Sequence, residues 1–97
     1  AKARSILELY EKIKIQVVEL THSQHSIRAV DYLFNSPVFS TTTFTAASDI
    51  PKPTANRILT LLRDEKILIV LSEGSGRRPA LYCFPALLNI AEGTVFL

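Results

Sequence analysis

This 97-residue sequence has no methionine, no tryptophan and a single cysteine. One thiol, Cys83, rules out an internal disulfide and any cysteine-based zinc cluster. It alternates with apolar neighbours and reads as a small buried side chain. The simple compartment for such a chain is the cytoplasm. Glycine is also scarce, three residues in all. Two of them form Gly74-Ser75-Gly76, which lies between two strand-like stretches. It therefore does not open a helix and is not a phosphate-binding loop. No apolar run approaches the 18 or so residues of a membrane span, and no signal-peptide pattern is present. Neither charge sign dominates: 11 basic and 9 acidic residues give +2, too little to imply a nucleic-acid partner by itself.

What is present fits one folded domain. Hydrophobic residues make up 47% and charged residues 21%, which excludes disorder. A helical pattern is already running by Ile6, so the chain is expected to be a piece of a longer protein.

Over residues 4–20, Ile6, Leu9, Tyr10, Ile13, Val17 and Leu20 fall on one helical stripe. Leu7, Ile15 and Val18 leave that stripe. They are expected to stay exposed in a monomer, or to pack on a second domain or a second copy. The polar stretch 21–26, with His22 and His25, reads as a loop and helix start, the two imidazoles supplying polarity and capping. A second helix follows over 26–34, with Ile27, Val30, Leu33 and Phe34 inward, and Asn35-Ser36-Pro37 stops it. Val38-Phe39 is long enough only for a very short strand. Ser40 or Thr41 can cap a third helix over 42–48, with Phe44, Ala47 and Ala46 inward.

Pro51 and Pro53 forbid continuing that helix, but proline is tolerated in the first turn of the next. The fourth helix runs from residue 52 or 53 to 65, with Ala55, Ile58, Leu59 and Leu62 on its inner face and Thr54, Asn56, Arg57, Thr60 and Arg63 outward. Residues 67–71 and 80–84 are β-rich strands flanking a loop that carries Arg77 and Arg78, which makes a hairpin with a basic tip. A short helix over 86–91 closes at Glu92-Gly93.

Helix, helix, short strand, helix, turn, helix, strand, basic loop, strand is the order of a winged helix-turn-helix. The fold expected is therefore mainly α with a small β-hairpin wing: a connector helix over 1–20 and a winged-helix domain over 21–97. Lys66 and Asp49 stand where the fold usually has glycine, and Asp tolerates the left-handed conformation at moderate cost. The basic excess is local. Between residues 51 and 80 stand Lys52, Arg57, Arg63, Lys66, Arg77 and Arg78 against Asp64, Glu65 and Glu73. Lys52, Thr54, Asn56, Arg57, Arg63, Arg77 and Arg78 are the candidate contacts to duplex DNA. Arg57 and Arg77 are expected on one basic face. The same charges equally suit a solvated helix and hairpin.

Catalysis finds no support. Two imidazoles three residues apart do not complete a zinc site, and no nucleophile–base arrangement is evident. No cofactor and no metal are expected.

Three stretches resemble the C-terminal winged-helix domain of bacterial Fic-family proteins. The stretch SIRAVDYLFNSPVF, residues 26–39, is similar to its helix-to-strand passage. Residues 54–68 are similar to its recognition helix. RRPALYCFPALLNIAEG, residues 77–93, is similar to its closing segment of Arg, Tyr-x-Phe and a short apolar helix ending in Glu-Gly. The helix over 6–20 looks like the connector after the catalytic domain. The family's enzyme transfers AMP from ATP to hydroxyl groups of target proteins. Its signature, His-Pro-Phe and then Gly-Asn-Gly-Arg, is absent here, so no catalytic residue carries over. The resemblance implies a non-catalytic accessory domain that binds DNA, or docks on an upstream catalytic domain or another protein. The alternative is a stand-alone winged-helix regulator that binds DNA as a dimer.

Overall fold

The computed structural model describes residues 2–92. Among them are five helices, α1 (Lys2–Thr21), α2 (Ser26–Asn35), α3 (Thr41–Ser48), α4 (Lys52–Asp64) and α5 (Pro85–Glu92), and three strands, β1 (Val38–Ser40), β2 (Ile69–Ser72) and β3 (Leu81–Cys83). The protein is mainly helical, with a small antiparallel sheet in the order β1-β3-β2. No helix among the described residues is long and apolar enough to cross a membrane.

Helix α1 is built from strong helix formers and buries Ile13 and Val17 on its inner stripe, with Ile6, Leu9, Tyr10 and Leu20 half-buried beside them. The stretch expected as a connector thus packs into the same core as the rest. Leu7, Ile15 and Val18 are 62%, 58% and 41% exposed, as their departure from the stripe predicts. The helix ends where His22 takes φ of 49°.

Two serines then start α2. The Ser23 hydroxyl accepts from the His25 backbone N–H, and Ser26 Oγ donates to the Ser23 carbonyl. His25 is the N-cap residue, but its side chain makes no capping bond. Capping by imidazole is therefore not what happens: the first helical N–H, of Ser26, donates to the Ser23 carbonyl, and the His25 N–H is held by the Ser23 hydroxyl. The inward face of α2 is Ala29, Val30 and Leu33, with Phe34 half-buried; Ile27, expected inside, is 42% exposed.

Helix α3 begins with a reciprocal cap. Ser40 Oγ accepts from the Thr43 N–H, and Thr43 Oγ1 accepts from the Ser40 N–H, which satisfies two otherwise open donors. Phe44 is buried as expected, but Ala46 and Ala47 are exposed and Ser48 is buried instead. Serine is tolerated there because its hydroxyl donates to the Phe44 carbonyl.

Two left-handed residues shape the ends of α4. Asp49, at φ 59°, closes α3, and buried Ile50 leads through Pro51 into α4. At the far end Lys66 has φ 62°. Its N–H donates to the Arg63 carbonyl at 2.9 Å and the Ile67 N–H to the Leu62 carbonyl at 2.9 Å. That pair of bonds is the Schellman ending of a helix. The Ile67 and Leu68 side chains are drawn into the core as a turn, so β2 starts two residues later than the apolar run predicts. The inner face of α4, Ala55, Ile58, Leu59 and Leu62, is buried throughout.

The sheet pairs Phe39 with Tyr82 and Val70 with Tyr82, and its register breaks between Val70 and Ser72. An edge-to-face chain of rings ties it to the helices: Tyr32 meets Phe39 and Phe44 at 5.4 and 5.2 Å, and Phe34 meets Phe84 at 5.2 Å. Such pairs add about 0.5–1.5 kcal/mol each beyond simple burial. Cys83 is buried, and that burial pushes its thiol above the usual range. Gly93, the expected stop of the last helix, lies outside the described residues.

Candidate nucleic-acid interface

The hairpin tip is set by its glycines. Ser75 and Arg78 exchange both backbone bonds, at 3.0 and 2.9 Å, so Gly76 and Arg77 form a two-residue turn. Gly76 has φ 56° and Arg77 does not share a positive φ, the pattern of a type II′ turn with glycine first. A Cβ on Gly74 would sit 2.9 Å from the Ala80 N and 3.1 Å from the Arg78 carbonyl oxygen. A side chain there would push the hairpin strands apart. These constraints hold Arg77 at the tip and Arg78 just behind it.

The tip folds back over the start of α3 and α4. Between them lies a cleft of about 470 Å³. It is lined by Lys52 and Asn56, one turn apart on α4, and by Gly76, Arg77, Arg78 and Pro79 of the hairpin. Thr41, Thr42, Thr45 and Ala46 of α3 complete the lining. The cleft therefore presents three cations, an amide and three hydroxyls, with no carboxylate among its lining. Thr45 Oγ1 is engaged by the Thr41 carbonyl. Lys52, Asn56, Arg77 and Arg78 are all exposed, and their side chains make no hydrogen bond or ion pair with the described residues.

The other sequence candidates lie elsewhere. Arg57 follows Lys52 by five residues, about 140° around the helix. Its Nη2 donates to the Thr21 carbonyl at 2.7 Å. It thus closes the C-terminal end of α1, where a cation meets both an open carbonyl and the negative end of the helix dipole. Of the two cations expected on one face, Arg77 lines the cleft and Arg57 does not; Lys52 of α4 lines it beside the hairpin. Arg63 lies near the end of α4, with Nη2 3.5 Å from Asp64 Oδ1, an exposed pair of little energetic weight. Thr54 is half-buried and does not line the cleft. Among the described residues, no three His, Cys, Asp or Glu side chains come together to hold a metal.

Sequence reading missed the α3 threonines as part of this site. They stand in a low-complexity TTTFTAAS run without charge or period. Only the fold of the hairpin over the helix gives them a role.

Comparison with family models, with curated proteins and with solved structures yields no match.

Proposed function

We propose that this chain is a winged helix-turn-helix module that grips duplex DNA by its phosphates, with the cleft between α4 and the β2–β3 hairpin as the contact surface. The element order and the β1-β3-β2 sheet support the winged-helix reading: α3 and α4 serve as the helix pair and the hairpin as the wing. The observation that carries the DNA reading is the convergence of Lys52, Arg77 and Arg78, none held by an acidic partner, on one open cleft beside the hydroxyls of Thr41 and Thr42. Exposed cations beside hydroxyl donors suit phosphate oxygens. Asn56 and Lys52 are the cleft residues on α4 with the chemistry to read a base edge, the amide an adenine and the ammonium a guanine. Such a site binds DNA with little sequence preference.

The module is non-catalytic in this reading. Its setting as an accessory domain of a Fic-type protein adenylyltransferase rests on the sequence resemblance alone. Reading the gene upstream of Ala1 decides between that setting and a stand-alone regulator.

The binding test is fluorescence anisotropy with a random-sequence duplex at about 50 and 200 mM salt. Three phosphate contacts give a log–log salt slope of about −2.7, hence about 40-fold weaker binding at the higher salt. Arg77→Ala/Arg78→Ala should leave a slope of about −0.9. No binding at low salt, or binding indifferent to that double change, defeats the proposal and leaves protein docking as the role of the cleft.

A further inference from the structure

We propose that the outward face of α1 is a self-pairing surface, on which a second copy of this chain lies antiparallel. The inference is independent of the DNA reading. Positions 7, 11, 14 and 18 of α1 are spaced four, three and four apart, which is the seam spacing of a two-helix coil. They carry Leu, Glu, Lys and Val. Leu7 and Val18 are 62% and 41% exposed at the two ends, and Ile15, 58% exposed, borders the seam.

The order of these four residues is complementary to itself. An antiparallel copy centred between Lys12 and Ile13 sets Leu7 against the partner's Val18 and Glu11 against the partner's Lys14. By symmetry each contact occurs twice, as a two-fold interface requires. A parallel copy instead sets glutamate on glutamate and lysine on lysine, so the charges choose the direction. A polar pair in the seam fixes register and partner number at some expense of stability. In the single chain, Lys14 Nζ already lies 3.0 Å from Glu11 Oε1. That pair contributes little, so exchanging the two intrachain pairs, one from each copy, for two across the interface is nearly free. Helix α2 extends the surface. Tyr10 Oη of α1 donates to Asp31 Oδ1, and Ile27 stands one turn before Asp31. That column runs beside α1, which brings a further 42% exposed apolar residue to the rim of the seam.

The seam spans about 16 Å of helix. With one Leu–Val contact at each end and charges between, the seam is short, and the dimer expected of it is weak, forming at high micromolar concentration. Sedimentation equilibrium of this chain from about 10 µM to 1 mM tests it. The mean mass should climb from 10.8 kDa towards twice that value. Leu7→Glu should hold it at the monomer. Glu11→Lys alone and Lys14→Glu alone should each do the same, while an equimolar mixture of those two chains should pair at least 10-fold more tightly than the wild type. Leu7 and Glu11 are exposed and Lys14 is half-buried, and an unchanged far-UV spectrum confirms that each variant is folded. Oxidising a mixture of Leu7→Cys and Val18→Cys chains should join unlike chains. A wild type monomeric up to 1 mM, a mixture of charge variants that stays monomeric, or cross-linking of Leu7→Cys chains to each other overturns the proposal.

Discussion

Arg57 and Arg78 carry the same charge and are both exposed, yet only one is committed within the fold. Arg57 reaches across 36 residues of sequence to the Thr21 carbonyl. Arg78 ends beside a cleft with no carboxylate in its lining. The two regions differ in how their polar groups are used. At the corner where α1 turns into α2, the buried polar side chains are engaged internally. Thr21 Oγ1 donates to the Val17 carbonyl at 2.8 Å and lies 2.7 Å from Ser26 Oγ, and both residues are buried. At the cleft, cations and amide are left to solvent. The lesson is that local charge density does not mark a binding surface. Arg57 is taken up by a backbone carbonyl inside the fold, whereas the cations lining the cleft have no internal acceptor.

Breaking the corner should therefore affect stability and leave binding alone. Thr21→Ala removes a buried methyl group and two hydrogen-bond contacts. It should destabilise the chain by about 2–3 kcal/mol in urea unfolding, while the salt slope of duplex binding stays unchanged. Arg57→Ala comes next, at about 1–2 kcal/mol. Arg57→Lys should recover less than half of that, because one ammonium on a flexible stem does not reproduce the guanidinium's fixed geometry. An Arg57→Ala chain that keeps its stability but loses duplex affinity would move Arg57 back to the binding side of the comparison.

Much of this division was hidden from the sequence. The inner face of α4 was legible because Ala55, Ile58, Leu59 and Leu62 repeat at helical spacing. So were the exposed Leu7, Ile15 and Val18, and the left-handed Asp49. The inward face of α3 was not, because its run of Thr and Ala has no apolar period to read; Ala46 and Ala47 face out while Ser48 goes in. Ile27 went wrong for a related reason. The core beside α2 has room for small Ala29, and that choice is made by packing from α1 and α3. The site was half legible. Lys52, Asn56, Arg77 and Arg78 were among the candidates, but the acceptor that removes Arg57 is a backbone carbonyl, invisible to any side-chain pattern.

The far end of α4 offers a gain rather than a loss. Lys66 pays the steric penalty of a left-handed residue in the Schellman ending. Lys66→Gly should stabilise the chain by about 0.5–1 kcal/mol, the relief of strain exceeding glycine's extra unfolded-state entropy. Thermal melts read this directly, and an unchanged or lower Tm would show that the lysine sits there without strain. At the cleft the expectation is neutrality. Arg77→Ala/Arg78→Ala should stay within about 0.5 kcal/mol of wild type while removing most of the salt dependence of binding. A large stability loss would mean that these arginines brace the hairpin, and the contrast with Arg57 would fail.

The smallest effect sits between the two regions, on the strap that ties the middle of α1 to α2. Tyr10 Oη donates to Asp31 Oδ1 at 2.6 Å. That bond is the first cause of a phenol held above its usual pKa of 10.0, with partial burial and the negative charges of Asp31 and Glu11 acting the same way. Lys14, whose ammonium lies 5.6 Å from the ring centroid, is the cation that faces it. Because the folded state holds this proton more tightly than the unfolded chain, the strap adds stability below pH 10. That contribution declines once the unfolded phenol ionises and is gone above the raised folded value. The ring is partly exposed, so the contribution is only a few tenths of a kcal/mol. Tyr10→Phe should therefore be slightly less stable than wild type at pH 8, and the gap should close as the pH rises beyond 10. Comparing the two chains at each pH cancels the general effect of alkali on both. A gap that persists or widens in alkali would mean that the hydroxyl contributes through packing and not through its proton.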